Sequence, residues 1–249
     1  MAAFACTLLA GPATAGTPTT IYTENFDIPS AAYGSNRYAS ASANLGSEWS
    51  FYSDNEGRNR IYDWQGSRGG VLIQDDHTGN DTYSLNEAIL TLDLSGYETV
   101  DFSIDAYDAK DEEDEFVTSP FTGHANADGV AVSSDGTNWY PLIDFDQDNQ
   151  TWKIYAASIS DLANANVGLS LTAGFQIKIQ QYDNYSHGSD GRKYDTLVIS
   201  GTEPSGGGNP VVPEEPSSFA LLGVGSLVLA ACGYRRRRRS TTSQDDTAA

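Results

Sequence analysis

An all-β sandwich is the fold class this sequence predicts, and three observations predict it. Between residues 16 and 201, apolar and polar residues alternate with period two in one stretch after another, the mark of strands with one buried face. Charged residues make up only 19% of the chain, while Gly, Ser, Thr, Asn and Tyr are plentiful, which suits strands joined by many turns. No helical periodicity in this region runs longer than residues 156–163. About ten short antiparallel strands follow, with a separate apolar helix near the C-terminus. No internal repeat is visible, which argues against a propeller or solenoid.

The expected strands fall in order along the chain. Residues 21–26, 49–52 and 71–74 are short apolar runs bounded by polar, turn-forming segments. Leu90, Leu92 and Leu94 alternate with Thr91 and Asp93, and Val100, Phe102, Ile104 and Ala106 alternate with Asp101, Ser103 and Asp105. Residues 130–133 and 139–145 flank Asp135-Gly136, a strong signal for a tight hairpin. Residues 152–156 follow, then Phe175, Ile177 and Ile179 alternating with Gln176 and Lys178, and finally residues 194–200. Trp139 and Trp152 are expected in the core, since tryptophan is usually largely buried.

The order of these pieces over residues 87–201, including the stretch LTLDLSGYETVDFSIDAYD, resembles the jelly-roll modules of secreted bacterial proteins, akin to MAM-like, reelin-like and carbohydrate-binding domains. The resemblance implies a jelly-roll sandwich. It also implies a structural calcium ion between the first and last strands, with Glu24 and Asp195 as the positions that match.

The chain carries a net charge of −20. Setting aside the five terminal arginines and the acids Glu214, Glu215, Asp245 and Asp246 leaves nine basic and thirty acidic residues. Such a body repels phosphate backbones, so no nucleic-acid partner is expected. Cys6 and Cys232 lie in the two apolar end segments, leaving no thiol between them for a disulfide, a zinc site or a nucleophile.

Both ends read as addresses. Residues 1–15 end in Ala13-Thr14-Ala15, a small-x-small site after an apolar stretch, and are expected to be a secretory signal; its basic region is missing, which leaves either a true start upstream or a weak signal. Residues 202–212 form a Gly/Pro linker too poor in large side chains to pack. Val212, Pro213, Glu214, Glu215, Pro216 and Ser217 come next, then the uncharged apolar segment 219–234, then Arg235, Arg236, Arg237, Arg238 and Arg239. Sixteen residues of helix reach only about 24 Å, short for a permanent span, and the arginines hold their end in the cytoplasm.

These three ordered elements resemble the PEP-CTERM sorting signal, here with Pro-Glu-Glu-Pro in place of Pro-Glu-Pro and a polar tail, residues 240–249, after the arginines. That resemblance makes residues 213–239 the signal. It implies secretion, transient insertion in the inner membrane, and processing by an exosortase, an integral-membrane transpeptidase-like enzyme. The destination it implies is the cell surface or extracellular matrix of a Gram-negative-type bacterium.

Catalytic motifs are missing. His77, His124 and His187 are far apart and form no HExxH, there is no G-x-S-x-G elbow, and the run from Asp144 lacks the Gly and Glu of an EF-hand. The acidic residues Asp105, Asp108, Asp111, Glu112, Glu113, Asp114 and Glu115 suit either a solvated loop or calcium ligands. Trp64, Tyr182 and Tyr185 are candidate glycan contacts, because loop aromatics offer flat apolar faces with polar edges. The expected function is therefore an exported, non-catalytic protein that associates with polysaccharide. A secreted carbohydrate-active enzyme on the same scaffold and a purely structural matrix protein stand as alternatives.

Overall fold

The computed structural model describes residues 16–65, 68–76, 83–109, 116–145, 150–183 and 191–204. The chain divides into two units, residues 1–205 and 206–249. The linker beyond residue 204, the sorting signal and its helix, the secretory signal, Tyr185, His77, His187 and the acids at 111–115 lie outside the described residues.

Thirteen strands are found among the described residues. They are β1 (Thr19–Glu24), β2 (Tyr38–Ser40), β3 (Trp49–Ser53), β4 (Gly57–Asp63), β5 (Gly70–Asp76), β6 (Ser84–Leu92), β7 (Thr99–Asp108), β8 (Phe121–Thr122), β9 (Gly129–Ser133), β10 (Asn138–Asp144), β11 (Trp152–Ser158), β12 (Phe175–Asp183) and β13 (Arg192–Thr202). Two short helices, α1 (Ala41–Asn44) and α2 (Ile159–Ala165), interrupt them. Among the described residues no helix is long and apolar enough to cross a membrane.

The strands form two antiparallel sheets. One runs β11-β7-β13-β5-β4-β2 with β1 also pairing to β13, and the other runs β3-β6-β12-β9-β10-β8. Period-two alternation places Ile61, Leu72, Phe102, Ile104 and Ile199 of the first sheet against Leu90, Val130, Val132, Ile177 and Ile179 of the second, and these side chains form one core. Each fully buried aliphatic or aromatic side chain contributes about 1.5–3 kcal/mol, so this inter-sheet layer is the main stabilising element.

All ten expected strands are present, and three more, β2, β4 and β8, were not expected. Neither β2 nor β4 alternates apolar with polar: Ile61 is the one aliphatic residue of Gly57–Asp63. The last strand also breaks simple parity. Tyr194 and Leu197 both reach the core because a bulge lies between Asp195 and Val198, with Thr196 at a φ of +47°.

The Asp135-Gly136 turn joins β9 to β10 as expected, with Gly136 at a φ of +73°. The Asp135 carboxylate accepts from the Thr137 and Asn138 amides, both at 2.8 Å, and from the Asn138 side chain at 2.7 Å. Led by the Asn138 amide, these bonds hold its pKa well below the usual carboxylate range. A depressed native pKa contributes stability above the ordinary Asp value of about 4, lost as pH falls through the native value. The thermal stability gap between wild type and Asp135→Asn is therefore expected to close on acidification from neutral pH. A gap independent of pH would contradict this account of the turn.

Candidate functional site

The register of the seven-stranded sheet lines up its outer face. Ser40 pairs with Arg60, Arg60 with Ile73, Ile73 with Lys193, Lys193 with Tyr107 and Tyr107 with Trp152, a single row across six strands. At about 4.8 Å per strand the row spans roughly 24 Å. One step along, Tyr38 pairs with Tyr62, and Trp64 follows directly after β4.

These residues bring five rings into a chain. Ring centroids are 4.8 Å apart for Tyr38–Tyr62, 6.2 Å for Tyr62–Trp64, 5.4 Å for Trp64–Tyr107 and 5.4 Å for Tyr107–Trp152. Cations are interleaved with them. The Arg60 guanidinium lies 3.7 Å from the centre of Tyr38, Arg68 lies 3.9 Å from that of Trp152, and the Lys193 ammonium is 5.2 Å from Tyr107. Trp152, expected in the core, is instead half-buried on this outer face. Its strand β11 is the sheet edge, and the core position on that strand goes to Tyr155. Trp139 is buried, as expected.

At the β2 end this belt runs into an open groove of about 550 Å³. Tyr38, Phe51 and Tyr52 give it aromatic walls, Asn36, Asn59, Ser40, Ser42 and Ser53 give it neutral polar groups, and Arg58 and Arg60 project from β4. Alternation on β4 explains the arginines: Ile61 points to the core, so Arg58, Arg60 and Tyr62 point away from it. Both guanidiniums converge on Asp75 of the neighbouring strand, Arg58 at 3.2 and 3.1 Å, while Arg60 bonds it through Nε at 3.3 Å and through Nη2. Burial pushes the Asp75 carboxyl up, and Arg60 and Arg58 pull it back. A smaller recess of about 310 Å³ is lined by Asp93, Ser95, Gly96, Tyr97 and Glu203, and so carries two acids and one aromatic ring.

The groove wall is backed by a second device. Residues 116–128 cross the outer face of the six-stranded sheet, where Phe116, Ala127, Ala131 and Trp139 make a small cluster of their own. Beneath this strap, fully buried Lys178 donates to Glu87 at 2.8 Å and to the Gly123 carbonyl at 2.8 Å. His124 meets the other Glu87 oxygen at 3.0 Å and stacks on Tyr52 with centroids 4.0 Å apart. Burial lowers the Lys178 pKa and Glu87 opposes the shift. Tyr52 of the groove is thus braced through His124 by a buried ion pair.

Of the residues expected to contact glycan, Trp64 sits in the middle of the belt, whereas Tyr182 lies on the other sheet, stacked 6.3 Å from Tyr83. The two do not share a surface, and Tyr185 lies outside the described residues. Glu24 and Asp195 are on paired strands, β1 and β13. Glu24 already accepts from the Phe26 amide at 2.8 Å and the Tyr22 hydroxyl at 3.3 Å, and Asp195 accepts from Arg68 at 2.8 Å. The same guanidinium also bonds Asp105 at 2.9 Å. Among the described residues no group of three or more His, Cys, Asp or Glu side chains is placed to hold a metal ion.

Of the six described non-glycine residues with positive φ, Arg37 and Gln65 adjoin the belt residues Tyr38 and Trp64. The sequence signal that marks the groove is the Arg58-x-Arg60-x-Tyr62 alternation, a period-two pattern of cations and aromatics.

No family model matches the sequence, and no curated protein matches it. Solved structures do resemble the fold. The enzymatically active domain of bacteriophage CBA120 tailspike protein 4 aligns over 71% of this chain at 8% identity and a TM-score of 0.39, and the chain spans about a fifth of that protein, 21%. The family 11 carbohydrate-binding module of the Clostridium thermocellum cellulase Lic26A-Cel5E aligns over 64% of this chain and 90% of its own length, at 14% identity and a TM-score of 0.34. TmCBM27, a mannan-recognising module, aligns over 74% and 98%, at 10% identity and a TM-score of 0.32.

Proposed function

We propose that this chain is an exported, non-catalytic surface or matrix protein whose jelly-roll sandwich holds a polysaccharide chain in the edge groove and along the belt beside it. The lining of the groove carries this reading. A sugar ring has an apolar C–H face and a hydroxyl edge; Tyr38, Phe51 and Tyr52 supply faces for the first, and Asn36 and the serines supply partners for the second. An open trough also admits a chain longer than itself, where a closed pocket admits only a small molecule.

The groove's lining contains no Asp or Glu, so it lacks the pair of carboxylates that glycoside hydrolysis uses. That favours binding over turnover. Delivery rests on the C-terminal pattern from Val212 to Arg239, which resembles a sorting signal read by an exosortase after secretion and transient membrane insertion. No part of this reading requires calcium.

Incubating the full chain with immobilised polysaccharides tests it. Retention on at least one, with no oligosaccharide released, is the expected result. Released sugar would favour the carbohydrate-active enzyme, and self-association without retention would favour the purely structural matrix protein.

A further inference from the structure

The charge of the groove is opposite to that of the chain. Thirty-four acidic residues give the protein a net charge of −20, yet the groove lining holds two arginines and no acid. Asp75, set behind them with its side chain 7% exposed, is shared by Arg58 and Arg60, whose side chains are 23% and 17% exposed. Two guanidiniums on one carboxylate leave one positive charge. Nε and Nη2 of each are spent on Asp75, so among the described residues the Nη1 group of each has no hydrogen-bond partner.

Resting on the polysaccharide reading above, we propose that the groove selects an acidic polysaccharide, one whose sugar rings carry carboxylates, with the Nη1 groups of Arg58 and Arg60 as the donors. Charge-assisted bonds from guanidinium to carboxylate are about twice as strong as neutral ones, and arginine presents them in a fixed fork. The acidic remainder of the surface does not prevent this. Its repulsion is screened beyond about 8 Å at physiological salt, whereas the contact with the two arginines is direct. Asn36 in the same groove then meets the ring hydroxyls, and Tyr38 and Tyr52 the ring faces.

The test is affinity electrophoresis of the full chain through gels holding polygalacturonate, a neutral mixed-linked β-glucan, or dextran sulfate. Polygalacturonate is expected to retard the protein about tenfold more strongly than the neutral glucan, with the difference shrinking as salt rises. Arg58→Gln is expected to remove most of that preference. Because Asp75 is buried, an Arg58→Gln/Arg60→Gln/Asp75→Asn variant, which leaves no unpaired charge, is the second probe; circular dichroism confirms that it folds.

Equal retention on the neutral glucan and polygalacturonate, or a preference untouched by both variants, would overturn the charge selection while leaving polysaccharide binding standing. Stronger retention on dextran sulfate than on polygalacturonate would overturn the carboxylate assignment. Retention on none of the three, nor on the wider panel, would sink the underlying reading and this inference with it.

Discussion

Replacing Lys178 by alanine is expected to lower the unfolding free energy by about 3–5 kcal/mol, the cost of stranding one partner of a buried ion pair. Glu87 is 0% exposed and Lys178 1% exposed, so neither charge can turn to water when the other is removed. His124 alone would remain to meet Glu87, from a side chain half in solvent. Replacing both members, as in Glu87→Met/Lys178→Met, is expected to recover most of the loss, since an apolar pair of similar volume removes the desolvation cost together with the attraction. Urea denaturation of the two variants and the wild type gives both numbers. A loss below about 1 kcal/mol in the single variant would mean that the pair is solvated and that the strap 116–128 does not seal it. Lys178→Ala also removes the donor to Gly123, which precedes His124, and His124 backs Tyr52. Weaker glycan retention is therefore expected in the folded fraction of the same variant.

Removing both ring walls of the groove, Tyr38→Ala with Tyr52→Ala, is expected to reduce polysaccharide affinity about a hundredfold, roughly tenfold for each stacked ring. Neither residue belongs to the core: Tyr52 is 37% exposed, and Tyr38 sits on the outer face of a three-residue edge strand. Stability should therefore change little, which separates this effect from that of Lys178. Trp152 lies at the far end of the belt, so Trp152→Ala is expected to weaken long chains more than short oligosaccharides.

The sandwich was legible in the sequence because its core strands state their buried face residue by residue, as in Val100, Phe102, Ile104 and Ala106. The groove was not, and the reason is physical. β2 and β4 lie at the edge of one sheet, and their outward side chains do not pack in the core. Arg58, Arg60 and Tyr62 therefore read as polar loop, and only pairing with β5 turns them into a face. Trp64 stands out in the sequence as an aromatic outside any apolar run, whereas Trp152 opens an apolar-looking run whose core residue is Tyr155. Asp195 drew notice as a candidate ligand, but its salt bridge to Arg68 spans 127 positions in sequence and no local pattern announces it.

The most direct measurement is the mobility of wild type, Tyr38→Ala/Tyr52→Ala and Tyr182→Ala in affinity gels holding the polysaccharide that retains the wild-type full chain. Binding in the edge groove predicts that the double variant migrates as it does in a gel without glycan, while Tyr182→Ala, on the opposite sheet, is retarded like wild type. A double variant retarded as strongly as wild type, or a loss confined to Tyr182→Ala, would contradict the groove as the binding site.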